Sequence, residues 1–253
     1  MKFQKIFSIV GHVPYIGEKN ANFLYDLIVK EKLSNILELG IAHGTATCYM
    51  AAALHEIGGG KITAVDLLEV KDEFKPSAEE QLEKTALTEF VNIVRTQTGY
   101  TWFLHDDIAK NTSNGVCREV YDLVIIDGPK NWTIDGAAFF FADKLLKKDG
   151  WIIFDDYNWT YASANGRRDS TDGITHRSLS NDEQETPHIR EVFELLVKQH
   201  PGYGKLLLLE GQDWAMAKKT KENKKDYTVA YNVNTRDILS KVFMRLYRKL
   251  RGR

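Results

Sequence analysis

Five acidic residues, one lysine and two glycines in this chain have the types and spacings that chemistry requires. Asp127 and Lys130 stand three apart in YDLVIIDGPKNW, directly after the apolar run Val124-Ile125-Ile126. Asp155 and Asp156 follow a second such run, in WIIFDDY. Gly40 and Gly44 come after NILEL, Glu38 lies just before them, and Asp66 ends the run KITAVD. If the runs are neighbouring parallel strands, their carboxyl ends lie within a few ångströms of one another. Asp127, Asp155 and Asp156 then converge, and so much uncompensated negative charge is costly. A hard divalent cation removes that cost, and Mg²⁺ favours carboxylate and water oxygens. Lys130 reaches the same space.

The glycine turn points to a different ligand. Its G-x-x-x-G spacing departs from the G-x-G-x-x-G that cradles a pyrophosphate. Glu38 would repel phosphate while welcoming a cation or hydroxyls, and a carboxylate at Asp66 can accept both ribose hydroxyl protons. Together these favour a nucleoside without a diphosphate. Each feature also has a plainer explanation. Two glycines can merely close a turn, Asp127 can cap one, and Asp155-Asp156 can be a solvated strand end or a helix N-cap. Lys130 can be a surface lysine, and His43 can pack in the turn. His176, in GITHRS, is a candidate base or sugar contact. Trp132, Trp159 and Tyr161 can stack on a ring or pack into the core.

The elements that must position these residues alternate. NILELG, KITAVDL, FVNIVRTQ, YDLVIIDG and WIIFDDY read as strands. Between and before them, KNANFLYDLIVKEK, TATCYMAAALHEI, TWFLHDDIAKN and DGAAFFFADKLLKK (ending at Asp149-Gly150) read as helices. HIREVFELLVKQH is a further helix, and KLLLLEG with DWAMAKK an antiparallel pair. The expected fold is α/β: a Rossmann-like, doubly wound, seven-stranded sheet, mostly parallel, with a C-terminal antiparallel hairpin. Residues 1–220 form that domain. Residues 157–187 are a polar insert without periodicity, expected to be a lid or binding loop. Residues 221–253 are a charged linker followed by a basic helix with Ile238, Val242, Leu246 and Leu250 on one face.

Composition narrows the function classes. A net charge of −1 over 253 residues gives no basic field for nucleic acid. Cys48 and Cys117 are the two cysteines, and their positions fit neither a zinc site nor a disulfide framework. The start lacks a full signal-peptide pattern, and no apolar run approaches eighteen residues. The expectation is a reduced, cytoplasmic protein. The basic tail suits peripheral contact with the inner face of an anionic membrane, or a homo-oligomer contact.

ELGIAHGTAT and AVD resemble the first two motifs of the class I S-adenosylmethionine-dependent methyltransferases, over roughly residues 20 to 218. The resemblance implies that Glu38, Gly40 and Gly44 abut the cofactor, that Asp66 holds its ribose, and that Thr101 and Asp127 lie near it. Asp127, Lys130 and the Asp155-Asp156 pair are similar to the catechol O-methyltransferase branch. There the three matching acids hold Mg²⁺ and the matching lysine is the general base. That branch usually has Asn at the last ligand, where this chain has Asp156. A double Asp is similar to the macrocin- and novobiocin-type sugar O-methyltransferases. Those carry a second acid or a histidine after IDG, where this chain has Pro129-Lys130.

Asn158, Asn165, Arg167, Arg168 and Asp172 in the insert suit a hydroxyl-rich acceptor, and the two arginines also suit an anionic group. The expected function is Mg²⁺- and S-adenosylmethionine-dependent methylation of a sugar hydroxyl in a glycan or glycosylated metabolite. A catechol-type acceptor is the rival, predicting a shorter, more apolar lid. Outside the class stand an NAD(P)-dependent oxidoreductase, disfavoured by the glycine spacing, and a non-catalytic cofactor-binding protein.

Overall fold

The computed structural model describes residues 1–164, 178–223, 242–243 and 246–247. Residues 1–223 form one compact unit. Residues 224–253 form a second, in which Val242, Phe243, Leu246 and Tyr247 are helical and exposed. His176, with Asn165, Arg167, Arg168 and Asp172, lies outside the described residues.

Seven strands make the main sheet: β1 (Asn35–Leu39), β2 (Lys61–Leu67), β3 (Val91–Thr96), β4 (Tyr121–Ile126), β5 (Leu146–Phe154), β6 (Tyr203–Leu209) and β7 (Trp214–Lys219). Their order is β3-β2-β1-β4-β5-β7-β6, and β7 alone runs antiparallel to its neighbours. The order reverses between β1 and β4, where such sheets open a crevice for ligands. A two-stranded ribbon, Thr112–Ser113 with Val116–Cys117, stands apart.

The central strands are apolar on both faces because helices cover both. Side chains alternate along each strand. Ile36, Leu123, Ile125 and Ile153 pack under α1 (Phe3–Val10), α2 (Glu18–Glu31) and α3 (Thr45–Ile57). Leu37, Leu39, Val124, Ile126, Ile152 and Phe154 pack under α6 (Tyr100–Asn111), α7 (Trp132–Leu145) and α9 (His188–Glu191), which continues as a wider turn over Val192–Val197.

Three readings of the sequence change. The N-terminal run is a helix whose Phe3, Ile6 and Val10 bury one stripe. The helix expected to end at Asp149-Gly150 stops at Leu145, and β5 begins at Leu146. Tyr121 pairs with Leu146 but Leu123 with Trp151, so residues 147–150 bulge from the ladder, with Asp149 at φ 66°. The insert is ordered at both ends: Thr160 and Ser180 each close a capping box, over Tyr161–Ser163 and over α8 (Asn181–Glu185). Two short helices follow β2: α4 (Val70–Glu73) and α5 (Ala78–Thr85), the latter also capped by Ser77 and Glu80. No helix among the described residues is long and apolar enough to cross a membrane.

Candidate active site

Register sets the site. Leu39 pairs with Val65 and Ile126, Ile126 pairs with Phe154, and Phe154 pairs with Ala215. The next residues, Gly40, Asp66, Asp127 and Asp155, therefore stand in one row along the carboxyl edge, with Trp214 opposite Asp155. Backbone bonds carry the row past the strands: Gly40 N–H to Val65 O at 2.9 Å, Asp127 N–H to Leu39 O at 2.8 Å, and Asp155 N–H to Ile126 O at 3.2 Å.

The acids converge. One carboxylate oxygen from each of Asp127, Asp155 and Asp156 lies within 4.8 Å of the other two. Lys130 is 1% exposed, at φ 61°, and its ammonium bonds Asp127 and lies 3.3 Å from Asp156 Oδ2. Asp156 is also left-handed, at φ 58°. The Trp214 indole N–H donates to Asp155 Oδ1 at 2.6 Å, and the Asp156 N–H to the same oxygen at 2.7 Å.

Electrostatics follow from that crowding. Burial first, and then Asp127, push the Asp155 carboxyl up to about 8. Burial also raises Asp127, against the pull of Lys130. For Lys130, burial works downward, but Asp127, Asp155 and Asp156 outweigh it and hold the amine above its ordinary value. Without a cation among the acids, the three aspartates favour the ammonium form of Lys130. Once Asp155 is ionised, three carboxylates share one cation and the cluster carries a surplus of negative charge. Its donors are all carboxylate oxygens, and a hard divalent ion fits that set.

The glycine turn is built from the same row. Gly40 has φ 92°, and a Cβ there would meet Asp127 O at 2.1 Å. Gly44 has φ 72°, and its Cβ would meet Ala78 Cβ at 2.5 Å. Both glycines are thus required by close packing as well as by any ligand. Asp66 Oδ2 accepts the N–H groups of Ile41 and Ala42 at 2.8 and 2.9 Å, and its Oδ1 accepts that of Leu67 at 2.7 Å. The carboxylate expected to face a ribose therefore shapes the turn, with about one of its four acceptor positions left over. Glu38 is 2% exposed and takes the Thr47 hydroxyl at 2.6 Å, and burial pushes it up to about 8. It ties β1 to α3 from inside. His43 packs between Tyr15 and Phe74, its Nδ1 2.8 Å from Pro76 O. Thr101 lies in the first turn of α6 and is partly exposed.

Several residues support the loop carrying Lys130, and of these sequence reasoning passed over Asp135 and Asn131. Asp135, fully buried on α7, accepts the Tyr100 hydroxyl and, at 2.6 Å, the Asn131 N–H. Asn131 caps α7 by accepting from Thr133 and Ile134. The Tyr161 hydroxyl donates to Pro129 O at 3.0 Å, which fastens the start of the insert to the same loop. Trp214 carried no signal in the sequence: the register of β7 on β5 is what sets the residue before Ala215 opposite the one after Phe154.

A family profile described as a methyltransferase domain matches residues 37–157, the span from the first strand to just past the acid pair. The chain carries a methyltransferase domain. No functionally curated protein matches this methyltransferase in sequence. Its fold is that of solved methyltransferases. An O-methyltransferase from Bacillus cereus in complex with SAH is 20% identical, with 87% of this chain and 92% of that one covered, at a TM-score of 0.59. TomG, an O-methyltransferase from Streptomyces achromogenes in complex with SAM, is 16% identical, covering 86% and 89%, at 0.56. The SAH-bound methyltransferase PaMTH1 from Podospora anserina is 14% identical, covering 86% and 87%, at 0.58. The resemblance read from ELGIAHGTAT and AVD is borne out in family and in fold.

Proposed function

We propose that this methyltransferase moves a methyl group from S-adenosylmethionine to a hydroxyl oxygen, with a divalent cation such as Mg²⁺ held by Asp127, Asp155 and Asp156, and that the acceptor is a sugar hydroxyl. The observation that carries the reading is the row Gly40, Asp66, Asp127, Asp155, with three acid oxygens gathered within 4.8 Å beside the glycine turn.

Methyl transfer from a sulfonium is an in-line displacement, so donor and acceptor must be held about 3 Å apart and aligned. The turn Gly40–Gly44, with Thr101 on α6, borders the crevice for the nucleoside side of the donor. Asp127 stands in the row between Gly40 and the Asp155-Asp156 pair. A divalent cation bound at the cluster supplies positive charge that stabilises an alcohol's conjugate base. Lys130 is placed to take the hydroxyl proton at Nζ. With the three aspartates neutralised, burial becomes the dominant influence on Lys130 and lowers its hold on its own proton. Two vicinal oxygens match such a site, as in a sugar diol. The aromatic pair Trp159 and Tyr161, with ring centroids 5.0 Å apart beside Pro129, favours a sugar face or an aromatic ring there.

Calorimetry with S-adenosylmethionine, with Mg²⁺ and with EDTA, tests the donor and the ion together. Methyl transfer to a diol-bearing glycoside that stops with EDTA and returns with Mg²⁺ is the expected result. Turnover unchanged by EDTA refutes the metal. The basic segment 241–253 further suggests a peripheral contact with anionic lipid, tested by co-sedimentation with phosphatidylserine vesicles.

A further inference from the structure

Beside the loop that carries Lys130 lies a groove of about 300 Å³. Trp132, Leu179 and Leu195 give it apolar walls, and Asp182, Glu183 and Glu191 line it with carboxylates; neither lysine nor arginine is among its described lining residues. Trp132 is 39% exposed and Leu195 47% exposed, large side chains that a stable surface ordinarily covers better.

The groove is fixed rigidly to the candidate active site. The Trp132 N–H donates to His188 Nδ1 at 3.0 Å, and His188 Nε2 stands 2.8 Å from Glu183 O. Through these two contacts the histidine clamps α7 to α8. Its ring packs 5.3 Å from that of Tyr161, whose hydroxyl holds Pro129 O. Asn131, next to Lys130 in the chain, lines the groove.

The carboxylates differ in their engagements. Glu183 closes the capping box, accepting from both the backbone and the hydroxyl of Ser180 at 2.7 Å. Asp182 and Glu191 have neither a side-chain hydrogen bond nor an ion pair among the described residues. Nearby Arg190 is turned elsewhere, bonded to Asn158 and stacked over Tyr157. Two uncommitted carboxylates lining the same groove as an exposed indole are the chemistry of ammonium recognition: the acids attract the charge, and an indole face can add a cation–π contact. The same set repels phosphates and uronates.

We propose that this groove binds a protonated amine, and that it receives an amino group on the acceptor, such as that of an amino sugar. As an acceptor subsite it rests on the methyl-transfer reading above; its preference for a cation does not. An ammonium near two surface carboxylates and an indole gains roughly tenfold to a hundredfold over a neutral isostere.

Saturation-transfer NMR and tryptophan fluorescence on the full chain, with D-glucosamine, D-glucose and D-glucuronate as probes, test the proposal. Glucosamine is expected to bind about tenfold or more tightly than glucose, with glucuronate weakest. The fluorescence change disappears in Trp132→Phe, and the preference collapses in the double variant Asp182→Asn, Glu191→Gln. Equal binding of glucose and glucosamine, no binding of either, or a preference surviving the double variant overturns it. So does displacement of glucosamine by oligolysine at far lower concentration, which assigns the surface to a basic protein segment. Calorimetry with S-adenosylmethionine on the same samples keeps the two readings apart. Lost donor binding with amine preference intact fails only the methyl-transfer reading.

Discussion

Replacing Asp155 with Asn separates a cation site from an ordinary ion-pair cluster, because the two predict opposite signs. The ligand oxygens of Asp127, Asp155 and Asp156 lie within 4.8 Å of one another. Two unit charges at that distance repel by about 3.5 kcal/mol at an effective dielectric of about 20. Lys130 offsets part of this, and the Asp127 and Asp156 side chains are 33% and 40% exposed, so solvent screens more. A net relief of about 1–3 kcal/mol on removing the Asp155 charge is what remains. The amide oxygen of Asn can still accept from the Trp214 indole and the Asp156 N–H. Without metal, at a pH above about 8, Asp155→Asn is therefore expected to be more stable than the parent in urea denaturation. With MgCl₂ the order reverses, since the parent gains stability by binding and the variant has lost a ligand. If Asp155 served mainly to hold Lys130, the variant would be the weaker protein in both conditions. A metal-free variant that melts below the parent, or one that keeps the parent's full response to MgCl₂, refutes the cation site.

Other outcomes follow from the same geometry. Asp155 has a folded pKa of about 8, above its unfolded value, so its contribution to metal-free stability is fully present below about pH 4 and is lost as pH rises toward about 8. The increment in Tm from MgCl₂ should therefore grow between about pH 6 and about pH 8, as fewer protons need displacing; a flat increment counts against the site. Lys130→Gln removes the cation that competes for Asp127 and Asp156, so Mg²⁺ affinity by calorimetry should rise about tenfold while methyl transfer falls. Tyr100→Phe leaves buried Asp135 short of one hydrogen bond, a loss of about 1–3 kcal/mol in denaturation with an unchanged m-value. Gly40→Ala sets a Cβ 2.1 Å from Asp127 O at φ 92°, and should abolish soluble expression or donor binding outright.

The sequence made the sheet legible because its central strands are continuous apolar runs ending abruptly in acids, a pattern that both-face burial imposes. The convergence of Asp127, Asp155 and Asp156 was legible for the same reason, since register follows once β4 and β5 are neighbours. What stayed hidden depends on side-chain direction at a given rim position. Glu38 and Asp66 flank the same turn, yet Glu38 turns inward to Thr47 while Asp66 binds the turn's own amides. Alternation along β1 places Glu38 on the face of Ile36, under the helices, where a charged group stays only by bonding or by holding a proton. That inference was available from the period of the strand.

Lys130 marks the other limit. Its spacing from Asp127 says that it can reach the acids, but its protonation depends on how many of them surround it and how dry they are. Three carboxylates around a buried amine make it an ammonium; a divalent ion among the same oxygens would remove the reason for that proton. The proton on Lys130 and a cation at the acid cluster therefore compete for the same three charges. Proton release on Mg²⁺ binding, measured by calorimetry in buffers of different ionisation enthalpy, should include a contribution that vanishes in Lys130→Gln. A proton count identical in the two proteins would mean that Lys130 stays charged beside the ion, and would leave the acceptor hydroxyl without this base.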